Sequence, residues 1–416
     1  MENTSMGYHT FAFFQKTNEE EYQNLDSDFI RYMQKTKKMK RTPVEGKDKV
    51  RIGWQFSYLN KEDKGIRWLF LSKKTKNNYA IFGVLVVINQ ETLIENNYIR
   101  AAREDDLTTV EEIYNREAEK ISKRLLKFGA CSLNRLDPCL NIDLKELRFP
   151  CTPEQMMKLI KRGNIPRYYE EREEYDRKQR RMITDKDSFY LESKSSVINY
   201  YWKYAKVKED HPDYWNRESF RNVIRLEVQC KYLKLYTLVK DNREQSKYYH
   251  IPEETDSTDE MYEELWDEIR HPAIPIDLVI SKKIYESFIR RDFYRVLRKG
   301  DYFTMDIAKD IVESYQYREN KEKRIIDALD LVNKSHGIAK AKAKLQGKEL
   351  KTFNKALKEL DVILVNPVTI PRRWDIKHIP NLFQAYNDSI YEEQLVSCQE
   401  YDAMKHIEKV LERVKQ

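Results

Sequence analysis

Between residues 50 and 89 the chain reads VRIGWQFSYL, NKEDKG, IRWLFLS, KKTKNN and YAIFGVLVVI, three extended apolar segments separated by two short runs of turn residues. Aromatic and β-branched residues in short runs, punctuated by Gly, Asn and Lys, favour strands joined as hairpins. Two successive hairpins build an antiparallel sheet, because parallel neighbours need a long crossover. Such a sheet needs a cover for its apolar face, and the next segments supply one. Val110, Ile113, Tyr114, Ala118, Ile121 and Leu125 fall on one face of a helix over 108–127, with Thr109 and Glu112 placed as a capping box. CSLNRLDPCLNIDL is a further strand, irregular or at an edge because Pro138 cannot donate to a ladder. Thr152-Pro153-Glu154-Gln155 starts a short helix with the stripe Met156, Met157, Leu159 and Ile160, closed by Gly163.

After a charged stretch without periodicity (168–181), DSFYLES, SVINYYWKYAKV and RNVIRLEVQCKYL read as extended again. Strands, helix and strands in that order predict an α+β domain with a mainly antiparallel sheet over 1–245. Glu253 to Glu268 holds nine acids and no base, and the boundary falls in an acidic linker at 246–258. Beyond it the pattern turns helical, with helices expected at 281–299, 304–315, 322–332, 338–345 and 350–360, so residues 259–416 form an all-helical domain.

The chain has 416 residues, 40% apolar and 12% aromatic, which is material for two packed domains. Its 76 basic and 69 acidic side chains leave a net charge of only +7, a total that does not identify a nucleic-acid binder. The distribution says more. Eight lysines and one acid lie between Lys334 and Lys358. Within that run, Ser335-His336-Gly337 reads as a turn leading into a helix with Lys340, Lys342 and Lys344, the parts of a helix-turn-helix. Together with Lys348 and Lys351 these form a DNA-binding candidate, and a solvated lysine face on an ordinary bundle has the same pattern. A second basic run, Lys35 to Arg41, suits backbone contact or a flexible loop. The five cysteines form no CxxC pair and read as small core residues. The longest apolar run, Tyr79 to Ile88, is well short of the roughly 20 residues of a membrane span, and the N-terminus lacks a secretory pattern, so a cytoplasmic protein without a membrane partner is expected.

Chemistry concentrates between Asp137 and Glu227. Arg135, Asp137 and Asn141 project from one side of their strand. A carboxylate and an amide carbonyl there could take a hard divalent ion, and Arg135 with Asp137 would equally make a surface ion pair. Tyr200, Tyr201 and Tyr204 stand beside Lys194 and Lys203, and a tyrosine needs a base, a metal or nearby cations to become a nucleophile. Aromatic residues in strands also serve packing, and the shared face of Arg225 and Glu227 is of a kind that usually meets solvent.

Read in order, Arg135-Leu136-Asp137, Tyr190-Leu191-Glu192-Ser193-Lys194, Ile198-Asn199-Tyr200-Tyr201-Trp202-Lys203 and Ile224-Arg225-Leu226-Glu227 resemble the replication initiation factor family of rolling-circle plasmid and phage initiators and related relaxases. The likeness spans roughly residues 130 to 240 and lacks the His-apolar-His motif of the other large class of nicking enzymes. It implies a Rep-like domain that nicks and rejoins origin DNA, single-stranded or in a hairpin, through a 5′-phosphotyrosine. Tyr201 matches the nucleophile, with Tyr200 and Tyr204 as alternatives. Lys203, Lys194 and Arg225 match the cations. Asp137, Asn141 and Glu227 match the positions that would hold Mg or Mn. Glu192 replaces a Gly of the pattern, Trp202 an Asp or Asn, and Asn141 a second acid. A bacterial host, a host helicase and a homodimer belong to the same implication. Other readings of these residues are a sequence-specific DNA-binding protein with an inactive site and a single-strand binder that stacks bases on tyrosines.

Overall fold

The computed structural model describes residues 3–45, 51–59, 64–74, 80–95, 101–176, 181–243, 274, 276, 280 and 282–390. The described residues fall into two compact units, one drawn from 1–141, 167–220 and 225–292, the other from 142–166, 221–224 and 293–416. The acidic stretch 246–258 and Cys398 lie outside the described residues.

In the first unit, β1 (Ser5–Thr17), α1 (Glu19–Thr36) and β2 (Met39–Glu45) precede the expected strands β3 (Arg51–Tyr58), β4 (Ile66–Lys74) and β5 (Ala80–Asn89). Next come α2 (Gln90–Glu95), α3 (Leu107–Ile121) and β6 (Ser132–Asp143). The short strands β7 (Glu170–Glu171), β8 (Glu174–Asp176) and β9 (Arg181–Ile183) occupy the stretch without periodicity. Then follow β10 (Ser188–Glu192), β11 (Ser196–Trp202), α5 (Lys203–Asp210), β12 (Val223–Cys230) and α6 (Tyr232–Arg243). Helix α4 (Pro153–Ile160), between β6 and β7 in the chain, belongs to the second unit.

Ten strands form one sheet in the order β2-β3-β4-β5-β1-β6-β12-β11-β10-β7, while β8 and β9 make a separate ribbon. The hairpins β3–β4 and β4–β5 are antiparallel, as are β1–β5, β1–β6 and β10–β11. The fold is therefore α+β. Period-two alternation gives the sheet two unlike faces. Phe56, Trp68 and Phe70 pack on Phe29 of α1, with ring centroids 5.0–5.4 Å apart. Phe13 meets Tyr114 of α3 and Phe128 edge to face. Arg67, between Trp68 and Ile66, faces the other way.

Two local expectations need correction and a third, on Pro138, is narrowed to its irregular-strand alternative. The basic run at 35–41 is no flexible loop: it closes α1 and opens β2, where Arg41 Nη2 donates to both oxygens of Asp26 (2.9 and 2.8 Å) and its guanidinium lies 4.0 Å over Trp54. Pro138 does not mark an edge, since β6 lies between β1 and β12. Its missing donor coincides with an irregularity, because Tyr8 pairs with Pro138 and Thr10 with Asp137, which leaves His9 as the extra residue of a bulge. Finally, SVINYYWKYAKV is not extended throughout: the strand stops at Trp202 and a helix starts at Lys203.

The second unit holds α4 with its Thr152–Gln155 capping box, then α7 (Lys282–Leu297), which begins in the first unit, followed by β13 (Tyr302–Phe303), α8 (Met305–Ser314), α9 (Glu319–Lys334), α10 (Ile338–Lys342), α11 (Gly347–Val362) and β14 (His378–Ile379). Ile325, Leu329 and Val332 of α9 and Phe353, Leu357 and Leu360 of α11 are buried in its core. The four described cysteines are free and buried. No described helix is long and apolar enough to cross a membrane.

Candidate functional site

The polar face of the sheet carries a cavity of about 280 Å³ lined by residues of the first unit. Its cations are Arg67, Arg135, Lys203, Lys206 and Arg225; its carboxylates are Glu91 and Asp210; His9, His211, Asn89, Thr10, Thr92 and Tyr201 complete the polar wall. The fold assembles these groups from distant parts of the chain. The β1 bulge aims His9 into the cavity. Gly65, at φ +67°, brings its backbone against the end of β5, where Asn89 N–H donates to its carbonyl at 2.7 Å; a Cβ there would lie 2.5 Å from the Asn89 oxygen. Asn89 Oδ1 accepts from Thr92 N–H at 3.2 Å and so shapes the turn into α2, whose first turn delivers Glu91.

Arg225 is the hub. It is 1% exposed and donates from Nε to Asn141 Oδ1 (2.6 Å) and from Nη2 to Glu91 Oε1 (2.5 Å), with Nη1 3.0 Å from His9 Nδ1. Lys203 Nζ lies 3.7 Å from Glu91 Oε2 and 4.7 Å over the Phe220 ring. Burial opposes ionisation of Glu91, but Arg225, Lys203 and His9 overcome it and hold its carboxyl at about 2. Burial, reinforced by the charge on Arg225, lowers Lys203 to about 7 even with Glu91 beside it. The expectation that Arg225 and Glu227 face solvent is corrected: both are buried, Arg225 against Glu91 of α2, His9 of β1 and Asn141 of β6, and Glu227 against Tyr201 of β11 and Gln229.

The Tyr201 hydroxyl donates to Glu227 Oε2 at 3.2 Å, and Gln229 Nε2 donates to Glu227 Oε1 at 3.0 Å. Burial drives the Tyr201 pKa well up, Arg225 pulls it down and Glu227 pushes it up again. Burial also acts against the ionised form of Glu227, yet His9, Arg225, Gln229 and Arg135 leave its pKa below the ordinary carboxylate value. Asp137 is fully buried and gripped by Arg135, whose Nε lies 2.8 Å from Oδ1 and whose Nη2 bonds Oδ2. Burial raises the Asp137 carboxyl to about 6 despite Arg135, and Glu227 adds to the rise. The pair is an ion pair, but not a surface one.

Of the residues singled out in the sequence, Tyr201, Lys203 and Arg225 line the cavity, with Asp137, Asn141 and Glu227 one hydrogen bond behind it. Tyr200 is buried and does not line the cavity; Tyr204 lies outside it too and donates its hydroxyl to Glu218 at 3.1 Å. Lys194 lies in the turn between β10 and β11, away from the cavity. Lys340, Lys344, Lys348 and Lys351 are exposed in the second unit, whereas Lys342 is half-buried and bonds Asn164 Oδ1 at 2.8 Å. The expected basic helix is a single turn, Ile338–Lys342, with Ile338 and Ala341 buried, so the lysines are spread over α10, a turn and α11. His9, Arg67 and Glu91 escaped sequence reasoning. Glu91 has one local signal, a carboxylate two residues after a strand whose apolar run should end in a plain turn.

The donor set does not fit Mg or Mn as the side chains stand. Among the described residues no three His, Cys, Asp or Glu side chains group as metal ligands. Both Asp137 oxygens are held by Arg135, and the Asn141 carbonyl is held by Arg225. A hard divalent ion needs anionic oxygens that are not already neutralised by guanidinium.

No family model matches the chain, and no curated protein matches it. Among solved structures it is similar to the rolling circle replication initiator protein from Geobacillus stearothermophilus, at 11% identity and a TM-score of 0.27, over 69% of this chain and 96% of that one.

Proposed function

We propose that the first unit nicks and rejoins DNA by attack of Tyr201 on a phosphodiester held in the cavity. The observation that carries this reading is the Tyr201 hydroxyl donating to a Glu227 carboxylate at the wall of a cavity lined by five cations. A cavity with five basic lining residues against two acidic ones suits one phosphodiester and the charge that builds on its transition state. Glu227 takes the phenolic proton as the Tyr201 oxygen bonds phosphorus. The bond to the 3′ oxygen breaks, leaving a 5′-phosphotyrosine. Lys203, as its ammonium, gives a proton to the leaving 3′ oxygen and becomes neutral, and reversal of these steps rejoins the strand. Arg225 and Arg135 offset phosphate charge. No step passes through a metal ion.

The test is to incubate the protein with labelled single-stranded and hairpin fragments of its own replicon and to look for a denaturation-resistant adduct. Wild type should form it and Tyr201→Phe should not, with binding retained. A second reading, DNA binding without cleavage, is favoured by the burial of Tyr201 and by the hold of Arg135 on Asp137. Duplex binding with no adduct on any fragment would select it.

A further inference from the structure

We infer that Trp215 is a stacking platform for an unpaired base of single-stranded DNA, next to the phosphodiester in the cavity; the inference rests on the nucleic-acid reading of that cavity. Trp215 is 83% exposed, the most exposed large apolar side chain among the described residues. An indole of that size left in water forgoes the burial that normally fixes its place in a fold.

The turn beneath it is fixed. Tyr214 N–H donates to the His211 carbonyl at 3.0 Å, and Arg217 Nη1 donates to the Pro212 carbonyl at 2.6 Å. The Tyr214 ring stacks on the fully buried Phe220, centroids 6.0 Å apart and 20° between planes. Lys203 lies over the other partner of that stack, Phe220, which ties the turn to the cavity wall. The backbone that carries the exposed indole is therefore fixed, with the Tyr214 ring 6.1 Å from the indole, so a stacked base would order one side chain rather than a loop.

Position and charge point to the occupant. His211 lines the cavity and Trp215 follows it by four residues, so the Trp215 Cα is at most about 14 Å from that of His211, less with the turn. The cavity supplies the cations for a phosphate. The turn carries two acids, Asp213 and Glu218, against one base, Arg217, which donates to the Pro212 carbonyl, and Lys206 is already paired with Glu209 and Asp210 at 3.1 and 3.2 Å. What the turn offers is a π-face, which every base can use.

Fluorescence anisotropy with a labelled single-stranded oligothymidine tests this. Trp215→Ala should weaken binding roughly tenfold, and Trp215→Phe should restore most of it. Wild type and Trp215→Ala should bind an abasic strand and a duplex alike, with the same salt slope, because phosphate contacts are untouched. An unchanged melting temperature excludes misfolding. Equal affinity of wild type and Trp215→Ala for oligothymidine would overturn the stacking role alone and leave the cavity reading intact. Failure of the wild type to bind any single strand would overturn both.

Discussion

Arg225 on β12 and Glu91 in the first turn of α2 are 134 residues apart in the chain, yet meet at 2.5 Å, and each side chain is 1% exposed. This buried pair ties the end of the β5 hairpin to the strand that carries Glu227, and it holds His9 and Lys203 in the same network.

Removing the charge at Glu91 leaves two cations buried without compensation. Glu91→Gln should destabilise the fold by about 3–5 kcal/mol, as for other broken buried pairs. Because the folded carboxyl titrates at about 2, below its unfolded value of 4.5, its contribution is present above pH 4.5 and is lost as pH falls toward 2. The variant should therefore show a flatter acid limb in unfolding free energy measured against pH. An acid limb like that of the wild type would show that Glu91 does not set it.

Asp137 should behave in the opposite sense. Its folded carboxyl titrates at about 6, above the unfolded 3.8, so the folded state binds more protons between those values and gains stability on acidification through that window. Asp137→Asn should remove that gain. Denaturant midpoints at pH 4 and pH 6.5 compare the two proteins, and a difference that does not change with pH would contradict the assignment.

The Tyr201–Glu227 hydrogen bond makes Glu227 the proton acceptor in the proposed nicking step. Glu227→Gln should slow adduct formation by roughly 10²-fold or more, the scale of general-base catalysis, while single-strand affinity changes little. Equal loss of rate and of affinity would instead assign Glu227 a structural part.

Arg135 competes with any ion for Asp137. Arg135→Met should raise Mn affinity about tenfold, since it removes a charge-assisted competitor for the carboxylate. Titration calorimetry of both proteins reads this directly. Mn binding that is tight in wild type and unchanged in the variant would mean the ion is held elsewhere.

The local elements were legible in the sequence because their causes are local. Turn residues between apolar runs marked β3, β4 and β5, helical periodicity marked α3, α9 and α11, and the Thr152–Gln155 box marked the start of α4. The order of Arg135-Leu136-Asp137, Tyr201 and Arg225-Leu226-Glu227 singled out residues only through its resemblance to a family pattern, and these residues line one cavity or lie one hydrogen bond behind it. The strand-to-helix change at Lys203 was hidden, because a tyrosine-rich segment satisfies strand and helix patterns alike and packing chose between them.

What the tertiary structure alone decided is which charges are buried and with whom. Arg225 and Glu227 alternate as a solvent-facing pair would, yet both are buried, Arg225 on Glu91, His9 and Asn141 and Glu227 on Tyr201. Glu91 and His9 give almost no local signal, since one becomes a site residue through a hairpin end and the other through a bulge, and both depend on contacts more than 80 residues away along the chain. Sequence pattern fixes faces and periods over a few turns. Desolvation and ion pairing depend on what covers those faces, which is settled only when the distant strands and helices are in place.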